Sequence, residues 1–481
     1  MSAMLTSMVC SGCGYTAPAG SARPFRCPNA NGKADHVLRR TIDLERRHDE
    51  LRAAFIDGEP DPFIRYRRLM HTWNAAIERG MTDAEYIDLV RRFERNVASV
   101  DGRWFSVTPF GRQPALAAAS GLDAVLMVKD ETANVSGSHK ARHFMGLMLW
   151  LLAMEHSDPE LARIPLAIAS CGNAALAAAV VARAAGRPLD VFVPVDASTA
   201  VVAKLQELGA RVTHCPRKPH EAGDPSYLRF REAVAAGELP FTCQGNENGL
   251  VIEGCQTLGY EIASQLIAAE GKLDRIFVQV GGGALASAVI AALEDAVKLG
   301  LLPRLPRIHA VQTASAFPLR RAWDHVVARI SGDASPSEAA LAAVGFPGRA
   351  CEPAEDYQAM DEIASRIEPG EAEAAMRFAV AHRAQFMWPW ETVPESIAHG
   401  ILDDETYDWA AVVRGMLLSG GYPIVVSEEQ LTRANTMAVE STGIAVDHTG
   451  SSGFAGLLEL QGAGLIESDE SIGVLFTGRK R

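Results

Sequence analysis

From about residue 105 onward the chain alternates short, β-branched runs with helical stretches of small and apolar residues. That alternation constrains the fold more than any other feature. Strand texture falls at Ala124–Lys129, Leu166–Ala169, Asp190–Pro194, Arg211–His214, Arg275–Val280, His309–Gln312 and Ile472–Phe476. Helix texture falls at Lys140–Met154, Asn173–Ala185, Thr199–Leu208, Gln256–Glu270 and Ala284–Leu299. Strands joined through helices pair in parallel, so the pattern predicts an α/β chain with open twisted parallel sheets and helices on both faces. A length of 481 residues suits two such lobes plus additions.

The rest divides by composition. Residues 1–40 hold three of the eight cysteines with several Gly and Pro, and read as a small separate lobe. Residues 41–104 are rich in Arg and Glu with spaced apolar positions, and read as surface helices. The core runs from 105 to 481, with a smaller lobe at about 140–240 and an aromatic, acidic insertion at about 384–430. The net charge of −13 opposes non-specific binding to nucleic acid or to anionic membrane. The longest apolar run, Phe144 to Met154, is too short to span a bilayer and predicts a buried helix. Eight cysteines in so long a chain are no disulfide scaffold. With no basic-then-apolar pattern at the start, a cytoplasmic protein is expected.

Three segments carry the chemistry. In Lys129-Asp130-Glu131-Thr132-Ala133-Asn134-Val135-Ser136-Gly137-Ser138-His139-Lys140, polar and small residues lead to a lysine that opens an apolar helix. A lysine so placed can enter a cleft from an anchored backbone, as a Schiff-base lysine must. Taken alone it would be a solvated charge; its companions change the reading. Ser170-Cys171-Gly172-Asn173-Ala174 joins a strand to a small-residue helix, where Asn173 either caps the helix or donates to an anionic ring oxygen. Val280-Gly281-Gly282-Gly283-Ala284 also joins a strand to a helix, and its N–H groups can face a phosphate. It lacks the spacing of dinucleotide and P-loop motifs, so a monophosphate is the better match. Asp130 and Glu131 read as solvated loop charges.

These segments, in this order, resemble the fold type II pyridoxal-phosphate enzymes of the tryptophan synthase beta superfamily, most closely the threonine synthases. Glu253-Gly254-Cys255-Gln256-Thr257 is similar to a threonine-synthase stretch that has Gln-Lys at the central positions. Leu475-Phe476-Thr477-Gly478 is similar to that family's C-terminal ending. The resemblance covers about 105–320 and 435–481. It implies pyridoxal 5′-phosphate bound by Lys140, Asn173, Gly281, Gly282, Gly283, Ala284 and Thr477, with Lys140 also the catalytic base. It also implies Asn134, Ser136 and Ser138 near a small amino-acid substrate, and a homodimer. Thr477 is assigned to the ring nitrogen, where a neutral hydroxyl cannot stabilise a protonated ring as a carboxylate would. That limits carbanion storage and disfavours transamination, so elimination or replacement at Cβ or Cγ is expected. The expected activity is a lyase. Threonine synthase proper (acting on O-phosphohomoserine), a serine/threonine ammonia-lyase and a non-catalytic regulatory homologue stand as alternatives.

Cys10-x-x-Cys13 followed by Cys27 is similar to the cysteine pair that begins many threonine synthases, with Ala30 where a fourth cysteine would complete a ribbon. His36 completes a Cys₃His set suited to structural Zn²⁺; otherwise the ribbon is degenerate and its thiols free. Trp388 and Trp390 are expected to serve packing.

Overall fold

The computed structural model describes residues 4–219, 221, 223–332 and 353–480. Its strands in chain order are β1 (Thr6–Cys10), β2 (Leu38–Ile42), β3 (Phe110–Arg112), β4 (Val125–Asp130), β5 (Leu166–Ala169), β6 (Leu189–Val193), β7 (Arg211–His214), β8 (Leu239–Pro240), β9 (Arg275–Gln279), β10 (Arg307–Thr313), β11 (Ile424–Val426) and β12 (Ser471–Phe476). The larger sheet is ordered β11-β10-β9-β12-β4-β3, and every pair is parallel except β3–β4. Strands β9 and β12 are buried along their whole length, as central strands covered by helices on both faces must be. The smaller sheet, β7-β6-β5-β8, is parallel throughout and lies between residues 166 and 240.

Residues 41–104 do form helices, but they are not confined to the surface. In the helix His71–Glu78 every residue from His71 to Ala76 is buried. Phe55 meets Tyr260 of the helix Val251–Ala268 edge-on and Tyr66 meets it tilted, with ring centroids 5.6 and 5.3 Å apart. The Arg- and Glu-rich outer faces conceal this inner apolar face. The longest helix of the group, Asp83–Asp101, starts at a Thr82/Glu85 capping box and stops at Gly102 in a left-handed conformation.

The stretch 384–430 is not a simple excursion from the core. It contains the largely buried helix Trp409–Ser419 and β11, which pairs with β10 at the edge of the large sheet. Within it, Arg321 lies over the Trp388 ring at 3.8 Å, and Phe317 packs on Trp390 at 4.6 Å. The two tryptophans therefore pack.

The helices Lys140–Glu155 and Val251–Ala268 meet backbone to backbone. A Cβ at Gly146 would lie 2.6 Å from Gly254 Cα, and one at Gly254 would run into the Arg142 carbonyl. In the N-terminal lobe β1 pairs antiparallel with β2. The lobe docks on the core through Asp35, which accepts from Trp409 Nε1 at 3.2 Å, and through Arg39, which donates to Ser287 Oγ at 3.0 Å. Among the described residues no helix is long and apolar enough to cross a membrane.

Candidate active site

Lys140 is the first residue of the helix Lys140–Glu155 and is half-buried. The loop before it is zipped to the chain end. Glu131 N–H donates to Phe476 O at 2.8 Å, His139 N–H to Thr477 O at 3.0 Å, and Arg479 N–H to Gly137 O at 2.8 Å. Ser138 and Gly478 form an antiparallel bridge. These bonds fix the backbone leading into Lys140 against the C-terminal end of β12, the end where ligands of open parallel sheets bind. Ser136 adopts φ 52°, a costly conformation for a side-chain-bearing residue, and its N–H is held by Asp101 Oδ2 at 3.0 Å.

The three polar residues of this loop differ. Asn134 spends its amide on the loop, accepting from Val135 N–H at 2.8 Å and donating to Glu131 Oε2 at 2.6 Å. Ser136 is held through its backbone. Ser138 is fully buried, and its hydroxyl has no protein partner among the described residues.

Thr477 is 1% exposed, and its Oγ accepts from Gln279 Nε2 at 2.6 Å. Asn173 opens the helix Asn173–Ala184, with Nδ2 3.5 Å from Asp447 Oδ2 and 3.0 Å from where a Gly478 Cβ would stand. Asn173 and the loop that ends at Lys140 thus meet at the Thr477–Arg479 segment, although more than 300 residues separate each of them from it.

Gly281, Gly282 and Gly283 lead into the helix Ala284–Lys298, and Gly283 has φ 92°. Each is glycine because the segment 401–408 packs on it. A Cβ at Gly281 would collide with the Asp403 carboxylate; at Gly282 it would be 3.0 Å from the Tyr407 ring, and at Gly283 2.9 Å from Thr406 Cγ2. Burial raises the Asp403 carboxyl to about 6, an effect reinforced by Asp404 and opposed by Lys140 and the Gly282 N–H. An anionic group therefore already faces the glycine turn. Burial likewise raises Asp408 to about 6, against Arg39 Nη2 at 3.5 Å. This acidic segment was not recognised in the sequence as part of the site, because nothing local relates it to glycines 120 residues earlier.

Glu131 corrects the sequence reading. It is fully buried and paired with Arg142, Nε to Oε2 at 2.8 Å. Arg142 Nη1 donates to Glu261 Oε1 at 2.6 Å and to Thr257 Oγ at 2.9 Å, and Lys129 Nζ donates to Glu261 Oε2 at 2.5 Å. Burial pushes Glu131 up, but Arg142 and Lys129 more than offset this and hold it below the usual carboxylate range. Asp130 accepts from Thr132 N–H at 2.8 Å as a turn cap. Burial and the nearby Lys140 hold His139 well below the usual imidazole range and His143 at about 3, so both rings are neutral at pH 7.

In the N-terminal lobe, Cys10, Cys13, Cys27 and His36 come together, with all ligand atoms within 4.8 Å of one another. Cys13 Sγ lies 3.6 Å from Cys27 Sγ, and Cys10 Sγ 3.5 Å from His36 Nδ1. Tetrahedral zinc with Zn–S bonds of about 2.3 Å places its sulfurs roughly 3.8 Å apart, so the spacing fits.

The chain is similar to several known proteins. The threonine synthase of Methanocaldococcus jannaschii is 23% identical over 355 residues, 73% of this chain and 69% of that protein. An L-serine dehydratase of Saccharomyces cerevisiae is 28% identical over 200 residues, 40% of this chain and 57% of that protein. The crystal structure of diaminopropionate ammonia lyase from Escherichia coli shares the fold at a TM-score of 0.55 and 15% identity, covering 89% of this chain and 92% of that one. Residues 104–387, more than half of the sequence, match the family described as pyridoxal-phosphate dependent enzyme, and the chain belongs to that family.

Proposed function

We propose that this protein is a pyridoxal-phosphate lyase that performs β- or γ-elimination, or replacement, on a small amino acid. The observation that carries the proposal is the zipping of the Lys140 loop to the Thr477 segment, beside Asn173. The residues suit the cofactor. A half-buried amine matches its aldehyde, the Asn173 amide its phenolic oxygen, the Thr477 hydroxyl its ring nitrogen, and the glycine turn at a helix N-terminus its phosphate. When bound, the cofactor supplies an electron sink for the substrate Cα.

The chain's own residues do the rest. Lys140 would hold the cofactor through its amine and would also serve as the general base for the substrate Cα proton. His139 and His143 are neutral and add no competing positive charge beside it. Ser138, with its buried hydroxyl lacking a protein partner among the described residues, is the loop residue we assign to a substrate carboxylate. Asn134 and Ser136 act by holding the loop. Gly281, Gly282, Gly283 and Ala284 cradle the phosphate. Elimination is favoured over phosphohomoserine chemistry by the wall opposite the glycine turn. Asp403 and Asp404 disfavour a second phosphate, and Arg39 and Arg383 are already paired with Asp408 and Glu405. Separately, Cys10, Cys13, Cys27 and His36 hold one structural Zn²⁺ that keeps the small N-terminal lobe folded.

Borohydride reduction of the loaded protein should fix the cofactor on Lys140, as read by peptide mass spectrometry, and Lys140→Ala should abolish it. Attachment to another lysine refutes the assignment. Serine, threonine and O-phosphohomoserine, offered in turn, distinguish release of ammonia and a 2-oxo acid from formation of threonine.

A further inference from the structure

Gln279 is the last residue of β9, 3% exposed, and β9 neighbours β12 in the sheet. Its Nε2 makes three contacts, to Gly450 O at 2.8 Å, to Thr477 Oγ at 2.6 Å and to Leu475 O at 3.3 Å. The two backbone carbonyls fix which end of the amide faces Thr477, because a flipped amide would set its oxygen against both of them. The end that meets the hydroxyl is therefore a donor. A hydroxyl has one hydrogen, and its oxygen here already accepts from the amide. The hydrogen must then point elsewhere, and since no acceptor for it stands among the described residues, its hydrogen bonds are matched when Thr477 donates to whatever faces it on the other side.

We propose that Gln279 is a positioning residue that fixes the direction of the Thr477 hydroxyl, making it a donor to the cofactor's ring nitrogen and so keeping that nitrogen unprotonated. The inference rests on the proposed placement of Thr477 at the ring nitrogen. A Thr477 free to turn could donate to an unprotonated nitrogen or accept from a protonated one. With Gln279 donating, only the first arrangement has matched hydrogen bonds. The second would set two donors, Gln279 Nε2–H and the ring N–H, on one oxygen and leave the hydroxyl hydrogen without an acceptor. The neutrality of Thr477 therefore only permits an unprotonated ring; Gln279 selects it. The surroundings reinforce the choice, since Thr477 cannot swing away. Its carbonyl is held by His139 N–H at 3.0 Å and its N–H by Gly450 O at 3.3 Å.

The test uses full-length protein loaded with pyridoxal phosphate carrying ¹⁵N in the ring, and follows the nitrogen resonance from pH 6 to pH 9. The wild type is expected to stay at the unprotonated position throughout. In Gln279→Leu, which lacks the amide donor, the Thr477 hydroxyl is free to turn its lone pairs to the ring, and the resonance should move toward the protonated position at the acid end of that range. Gln279→Met, which also lacks the amide donor and introduces no charge, should move the resonance in the same direction; it carries the test alone if the leucine variant does not fold. Thr477→Ser should behave as wild type, and Thr477→Val should shift the resonance. If Thr477→Val shifts the nitrogen but neither Gln279 variant does, the positioning role is wrong while the Thr477 placement stands. If Thr477→Val also leaves it unmoved, the placement of Thr477 itself fails.

Discussion

Replacing Arg142 with methionine should destabilise the protein by about 3–5 kcal/mol at pH 8 and by distinctly less at pH 5. The guanidinium is fully buried and lies between Glu131 and Glu261, within 2.6–3.0 Å of four carboxylate contacts. With charge centres about 4 Å apart and an effective dielectric of about 20, each pairing is worth roughly 4 kcal/mol before desolvation. Removing Arg142 withdraws both attractions, and the carboxylates stay buried. Glu131 retains the Asn134 amide at 2.6 Å and the Thr108 hydroxyl at 2.5 Å. The sign of the pH dependence follows. In the wild type Glu131 is held below its ordinary 4.5, so its contribution is present above that pH and is lost on acidification through the folded value. In the variant burial dominates and raises the folded value above 4.5. Glu131 then adds stability only at low pH and loses it as pH rises. The two proteins should therefore diverge across the interval from the wild-type folded value, below 4.5, to the variant's, above it, by about 1.4 kcal/mol for each unit between them. Urea unfolding followed by tryptophan fluorescence at pH 5 and pH 8 reads this. Glu131→Gln added to Arg142→Met should recover about 1–2 kcal/mol at pH 8 by removing the stranded charge. A cost below about 1 kcal/mol at pH 8, or the same cost at both pH values, refutes the reasoning.

Asp403→Asn should tighten cofactor binding about tenfold at pH 8, roughly 1.4 kcal/mol, and change it little at pH 5, because the carboxyl titrates at about 6 and repels the phosphate only when charged. Spectroscopic titration of apo-protein checks this, and a pH-independent ratio between variant and wild type would show that Asp403 does not face the phosphate. Protein made without a metal-affinity tag should contain one zinc per chain by elemental analysis, falling below half in Cys13→Ser. Metal-free wild type would mean a degenerate ribbon.

What the sequence determined by itself was local. Lys140–Glu155, Leu166–Ala169, Arg211–His214 and Ser471–Phe476 are legible because their apolar runs, and for the last two a Gly within two residues of one end, are set locally. The lysine, asparagine and glycine segments are legible for the same reason, each being a short loop opening a helix. Tertiary structure decided what those segments face. Placing β12 between β9 and β4 sets Thr477 beside Gln279 and the Lys140 loop, joining residues about 200 and 340 positions apart. The same assembly turned Glu131 from an expected surface charge into half of a buried pair, since its partner Arg142 lies one helical turn beyond the loop and Glu261 on another helix. It also laid Asp403 against Gly281 and brought the 41–104 helices onto Tyr260. Periodicity records which face of a segment is apolar. It carries no record of which distant segment covers that face, because that choice is made by the free energy of packing the whole chain and not by any window of it.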